Sequence, residues 1–206
     1  MQILSNTLRI RGVRVVNRNL LKFIDTVEGP QHIAFFFNDP EYARMLEFQF
    51  LKNGLKKWEQ CIYATDDDPF VIVSKMSHYG INVETYLKNN MLHVYHIPDP
   101  KNDPDGMVAS CKKTAKKILS NVKPPFRVVG RIVPDVSTVE GITAQLELEQ
   151  STHENFDSFG GMIMCRYDLS KIEPKRRKKW IQGLYEKHDT IIYEQGFDEG
   201  AVLSVR

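Results

Sequence analysis

Residues 32–54 read HIAFFFNDPEYARMLEFQFLKNG, and this stretch decides the fold. Residues 33–37 form a short, unbroken apolar run rich in aromatics, the pattern of a strand buried on both faces. Asn38 and Asp39 then turn the chain. Asp39 is placed to cap a helix whose first residue is Pro40, where proline gives up only an N–H that has no intrahelical partner. Met45, Leu46, Phe48 and Leu51 give that helix an apolar side, and Gly54 stands where a left-handed C-cap is expected. Strand, sharp turn and helix are the opening of an α/β nucleotide-binding domain, yet the glycines that would cradle a phosphate are missing.

Working outward, residues 61–65 read as a second strand, closed by Asp66, Asp67, Asp68 and Pro69, with Asp67 or Asp68 capping a helix that ends at Gly80. Residues 81–86 and 92–97 read as extended segments around a Lys88-Asn89-Asn90 turn. Asp103 is expected to cap the clearest helix of the chain, with Met107, Val108, Cys111, Ala115, Ile118, Leu119 and Val122 on one face and Lys112, Lys113, Lys116 and Lys117 on the other. Residues 126–133 form another strand, and Ser137-x-x-Glu140 is a capping box opening a helix through Val139, Ile142 and Leu146. Residues 162–167 repeat the buried-strand pattern. Glu173-Pro174 opens a helix with Trp180, Ile181, Leu184 and Tyr185 inward and Lys175 to Lys179 basic, and residues 190–194 supply the last clear strand.

Alternation of strands with amphipathic helices predicts an α/β domain of three layers, with a mainly parallel central sheet and helices on both faces. Ahead of it, residues 1–30 read as an N-terminal extension in which Arg9, Arg11, Arg14 and Arg18 alternate with apolar residues and Asn19 caps a short helix; residues 31–206 form the domain proper. With 42% apolar and 26% charged residues the chain has the composition of a soluble globular protein. A net charge of +2 does not announce a nucleic-acid binder. No apolar run reaches the ~20 residues of a membrane span, and no signal peptide is evident. Three widely spaced cysteines, an odd count, suit a reducing cytoplasm better than a disulfide framework.

Ligands of such sheets bind at the carboxyl ends of the strands. That directs attention to Asn38 and Asp39, Asp66 to Asp68, Pro98 and Asp99, Pro134 and Asp135, and Tyr167 and Asp168. A phosphate-binding loop requires Gly-x-x-x-x-Gly-Lys-Ser/Thr, but no glycine here precedes a lysine, and no Gly-x-Gly-x-x-Gly exists. Cys-x-x-Cys and His-Glu-x-x-His spacings are also absent, and His93 and His96, three apart on a strand, face opposite sides, so no metal site or cofactor is expected. The three aspartates read as turn and cap residues rather than as ion ligands. Cys165 is the one candidate nucleophile, but its place in a strand better suits a small buried residue.

With these residues laid out, the chain resembles the sensory-domain family of methanogens and methylotrophs called MEDS, over roughly residues 29–195. The resemblance rests on the His32-led strand with its Asn38-Asp39 turn, on residues 50–55 (FLKNGL), on Gly80-Ile81-Asn82-Val83, on Arg127-Val128-Val129-Gly130 and on Met164-Cys165-Arg166-Tyr167-Asp168. The chain departs from the family pattern at Arg131, where an acidic residue is expected, and at Asp189, where proline is usual. The resemblance implies a RecA/KaiC-like domain with a degenerate phosphate-binding loop. It implies a non-catalytic regulatory domain that senses a small molecule, thought to be a hydrocarbon derivative, with His32 and Cys165 handling the ligand and output passing to a separate regulator or kinase. The expected site joins these to Asn38, Asp39, Tyr42, Asp66, Arg131, Tyr167 and Asp168. A divergent KaiC-like nucleotide-binding domain is the first alternative, and a nucleic-acid-associated regulator using the lysine-rich helices and N-terminal arginines is the second. A homodimer is compatible with either role.

Overall fold

The computed structural model describes residues 14–205 except 134 and 198; Arg9, Arg11 and Pro134 lie outside the described residues. One sheet of eight strands runs in the order β1-β8-β7-β2-β6-β5-β3-β4. The strands are β1 (Arg14–Asn19), β2 (Gln31–Phe37), β3 (Gln60–Thr65), β4 (Leu92–His96), β5 (Phe126–Gly130), β6 (Met162–Asp168), β7 (Thr190–Gly196) and β8 (Glu199–Ser204). β2 pairs in parallel with β6 and β7, β6 with β5, β5 with β3, and β3 with β4, while β8 runs antiparallel to both β7 and β1. The sheet is therefore mainly parallel, as the sequence predicts. Its antiparallel margin was not read from the sequence: β8 follows β7 as a hairpin, and β1 extends the same sheet from within the segment assigned to an N-terminal extension.

Side chains alternate between two layers, as the two-residue period of a strand requires. Ile33, Phe35 and Phe37 of β2 face α1 (Leu20–Asp25), α2 (Pro40–Lys56), α3 (Pro69–His78) and α4 (Val83–Lys88). Ala34 and Phe36 face α5 (Met107–Leu119), α6 (Val139–Asn155) and α7 (Pro174–Tyr185). His32 lies on the second of these faces. The helix after β2 thus covers one side of the sheet and the helix after the adjacent β6 covers the other, so a crevice opens between the carboxyl ends of these two strands.

Local signals set most boundaries. Asp39 accepts hydrogen bonds from the N–H groups of Glu41 and Tyr42, and Asp68 accepts from Phe70, each ahead of a proline in the first turn. Five expectations are corrected. Residues 126–133 are not one strand: β5 ends at Gly130. Residues 81–86 are not extended: Asn82 accepts from Thr85 N–H and starts α4, whose Val83 and Tyr86 turn inward at helical spacing. Asp103 does not cap α5; Gly106, at φ 84°, stands at that position without a side-chain cap. The cap of α6 is Thr138, accepting from Gly141 N–H, one residue beyond the anticipated Ser137.

Gly54, finally, does not end α2, which runs on to Lys56 before Trp58 adopts a left-handed φ of 62°. The glycine serves close approach instead: a Cβ there would lie 2.7 Å from Arg127 Cδ and 2.9 Å from Cys61 Sγ. Gly54→Ala is expected to destabilise the fold by about 1–2 kcal/mol, because overpacking of ~1–3 kcal/mol outweighs the ~1 kcal/mol gain in helix propensity. Urea unfolding checks the sign; a net gain in stability would show that Arg127 yields freely.

Candidate functional site

The structure divides the nine residues expected at the site into three groups. Asp66, Arg131 and Asp168 line the crevice at the strand ends, a polar cavity of about 100 Å³ that also contacts Arg44, Arg166 and Lys171. Its arginines are already engaged: Arg44 with Asp67 at 3.0 Å, Arg131 with Asp66 at 3.5 Å and Arg166 with Glu47 at 2.9 Å.

Asn38, Asp39 and Tyr42 belong to the adjoining turn but do not line that cavity. The N–H groups of Asn38 and Asp39 donate to Glu194 Oε2 at 2.7 and 3.2 Å. The Asp39 carboxylate takes the next two N–H groups of the helix. The helix N-terminus, which in a phosphate-binding domain would face an anion, is thus occupied by the chain's own carboxylates. Tyr42 packs its ring 5.2 Å from Phe197.

His32, Cys165 and Tyr167 form the third group, and the structure brings them together on one face of the sheet, from His32 near the start of β2 to Tyr167 next to the end of β6. β2 and β6 are in register at Ala34–Cys165, so His32, two residues before Ala34, projects from the same face as Cys165. Its Nε2 lies 3.4 Å from Cys165 Sγ. Two residues that the sequence reading did not single out as ligands complete the cluster. Glu149, buried on α6, reaches down so that its Oε2 lies 3.2 Å from His32 Nε2, 3.4 Å from His188 Nε2 and 3.6 Å from Cys165 Sγ. His188, from the turn between α7 and β7, stacks on His32 with ring centroids 4.0 Å apart.

Surrounding groups fix this geometry. His32 Nδ1 lies 2.9 Å from the Lys187 carbonyl and His188 Nδ1 2.7 Å from the Leu184 carbonyl. A carbonyl only accepts, so both Nδ1 atoms carry protons, and a neutral ring then turns a bare Nε2 lone pair toward Glu149 and Cys165. The other carboxylate oxygen, Oε1, accepts from Tyr167 OH at 2.6 Å and from the Gln145 side-chain amide. Asp189 ties the start of β2 in place: its N–H donates to the His32 carbonyl at 2.8 Å, and its Oδ2 accepts from His32 N–H at 2.9 Å.

Burial governs the electrostatics. It pushes the Cys165 thiol and the Tyr167 phenol well above their usual ranges, with the Glu149 charge adding to both shifts. Burial, reinforced by His32, pushes His188 down to about 3, which keeps it neutral. Burial alone would raise the Glu149 carboxyl, but its contacts with His32, His188 and Tyr167 together hold it below its usual range.

Cys165 and Glu149 also form one wall of a second cavity of about 60 Å³, under α5 and α6, whose remaining lining is largely apolar and includes Ile118, Leu119, Val128, Ile132, Leu148 and Ile163. Ala64 and Arg131 border both this cavity and the polar crevice.

The family model for the methanogen/methylotroph DcmR sensory domain, MEDS, matches residues 31–182. The chain belongs to the MEDS family. Its match spans both the His32 strand and the Cys165 strand and stops before His188. A comparison with curated proteins returns no match. Among solved structures, the chain is similar to a KaiC-like protein from the hyperthermophilic archaeon Pyrococcus horikoshii OT3, with a TM-score of 0.55 and 13% identity over 85% of this chain and 77% of that one. It is similar also to an uncharacterized protein from Pyrococcus horikoshii solved with an unknown peptide, with a TM-score of 0.56 and 15% identity over 91% and 88% of the two chains. These likenesses carry the RecA/KaiC-like fold and nothing about ligands. Among the described residues no helix is long and apolar enough to cross a membrane.

Proposed function

We propose that this MEDS domain is a non-catalytic sensor of a small, weakly polar organic molecule, acting in prokaryotic signal transduction or transcriptional control. One observation carries the reading: an apolar cavity abuts the buried His32–Cys165 cluster. At about 60 Å³ it is well under half the ~150 Å³ of a cavity that takes benzene, so its occupant has only a few heavy atoms. That size suits the hydrocarbon derivatives implied by the family resemblance. Output passes to a separate regulator or kinase protein.

Nucleotide binding is the weaker reading, because the N–H groups at the start of α2 are held by Glu194 and Asp39. For nucleic acid, the lysine faces of α5 and α7 flank α6, whose exposed surface carries Glu140, Glu147 and Glu154, so an acidic stripe divides the basic groups.

Methyl NMR of the full chain, titrated with short halocarbons and alcohols, tests the proposal. Saturable shifts of Ile118, Ile132, Leu148 and Ile163 are expected, and Ala115→Leu, which adds bulk at the cavity wall, is expected to weaken them at least tenfold while preserving the fold. Tight binding of Mg-ATP with shifts confined to the polar crevice would replace this reading with the nucleotide one.

A further inference from the structure

We propose that His32, Glu149, Cys165 and His188 form a binding site for one divalent first-row transition ion of the zinc type. The site rests on its own geometry and goes beyond the sensing reading.

Among the described residues these four offer ligand atoms that all lie within 4.8 Å of one another. Tetrahedral coordination with bonds of ~2.0–2.3 Å places neighbouring ligand atoms ~3.3–3.8 Å apart. The distances already present, 3.2, 3.4, 3.4 and 3.6 Å, are close to those edges. Side chains merely packed in a core have no reason to converge on a common centre at this spacing.

Hydrogen bonding within the protein does not complete the cluster. His188 Nε2 is buried and, among the described residues, no donor reaches it; its lone pair faces a carboxylate oxygen 3.4 Å away. Buried polar atoms are rarely left this way. A cation between them satisfies both. The outer groups are arranged as an ion requires: both Nδ1 atoms are held by main-chain carbonyls, which fixes the coordinating nitrogen as Nε2, and Tyr167 and Gln145 occupy Oε1, which leaves Oε2 for the ion. Two imidazoles and a sulfur select a borderline transition ion over magnesium or calcium. One thiolate and one carboxylate neutralise a divalent charge in a buried space. The cavity beside Cys165 and Glu149 supplies an approach, and its occupant would lie against the ion's sulfur and oxygen ligands.

The test is cobalt(II) titration of the metal-stripped full chain, followed by zinc competition. The expected result is one equivalent per chain, intense visible bands of tetrahedral cobalt, a near-ultraviolet thiolate-to-metal band and displacement by zinc. The Cys61→Ser/Cys111→Ser double variant, which keeps Cys165 as the sole thiol, should retain the thiolate band in full; Cys165→Ser should lose it. Tyr167→Phe should weaken zinc binding by about 10–100-fold without moving the band. Absence of stoichiometric cobalt binding, or loss of the thiolate band in the double variant, overturns the site even if Cys165→Ser does not fold. The methyl titration of the metal-free chain reads the organic cavity separately, so failure of one proposal is distinguishable from failure of the other.

Discussion

Arg127→Leu is expected to remove about 3–5 kcal/mol of stability, the loss typical of breaking a buried ion pair from one side. Arg127 is fully buried on β5, facing the α2 layer. Its Nε donates to Glu59 Oε2 at 2.6 Å, Nη1 donates to the Phe50 carbonyl at 3.1 Å, and the guanidinium lies 4.8 Å from the centre of the Phe50 ring. Leucine would leave the Glu59 carboxylate, itself only 8% exposed, with no partner in an apolar layer. It would also free the space that Gly54 keeps open. The denaturation midpoint should fall with little change in slope, and Glu59→Gln in the Arg127→Leu background should recover part of the loss. A cost below about 1 kcal/mol would mean that water reaches Glu59 and that the pair behaves as a surface bridge.

Arg127 also shows what the sequence could and could not reveal. Its neighbours Phe126, Val128 and Val129 announce a strand, because buried parallel strands are continuous apolar runs and the pattern survives one interruption. The partner across the layer, Glu59, sits in a short polar link between α2 and β3 that carries no pattern. The same division runs through the fold. The β2-turn-α2 unit, the caps Asp39 and Asp68 and the inward faces of α5 and α7 are local properties, and they were legible. α4 was not: six residues of helix give too short a window for its period to stand out, and the Asn82 cap alone marked it. β1 and β8 depend on pairing with each other and with β7, a long-range relation that neither strand's residues encode.

The site follows the same physics. His32 was reachable only through the family resemblance, whereas Cys165 also stood out as the one candidate nucleophile; the structure joins the two through Glu149 of α6 and not in the polar crevice. Strand-end reasoning leads to the polar crevice through Asp66 and Asp168, because the switch in helix side after β2 and β6 follows from topology, while Arg131 entered only as a departure from the family pattern. It cannot find Glu149 and His188. Metal-ligand spacing searches look for pairs a few residues apart, whereas these four ligands come from two strands, a helix and a turn. One signal was present in the sequence: Glu149 is a carboxylate on the inward side of α6, on the same face as Gly141, Ala144, Gln145 and Leu148, where a charge needs a partner.

Glu149→Gln is expected to change stability in opposite directions with and without metal. In the metal-free chain the substitution keeps an oxygen to accept from Tyr167 and Gln145 and places an N–H₂ where Oε2 now faces the bare Nε2 of His188. A lone-pair conflict becomes a hydrogen bond, so the metal-free variant should be equal to or more stable than the parent by about 1–2 kcal/mol, the range recovered when a buried polar atom gains a partner. Zinc reverses the order. An ion that binds only the folded state adds ~4 kcal/mol at a thousandfold excess over its dissociation constant, and the amide, a poor ligand carrying no charge, should forfeit most of that gain. Paired thermal melts with zinc and with a chelator check both signs in one experiment. A variant several kcal/mol less stable in both conditions would identify Glu149 as the counter-ion of a protonated His32 in a metal-free core, because removing one member of such a pair is costly whether or not zinc is present.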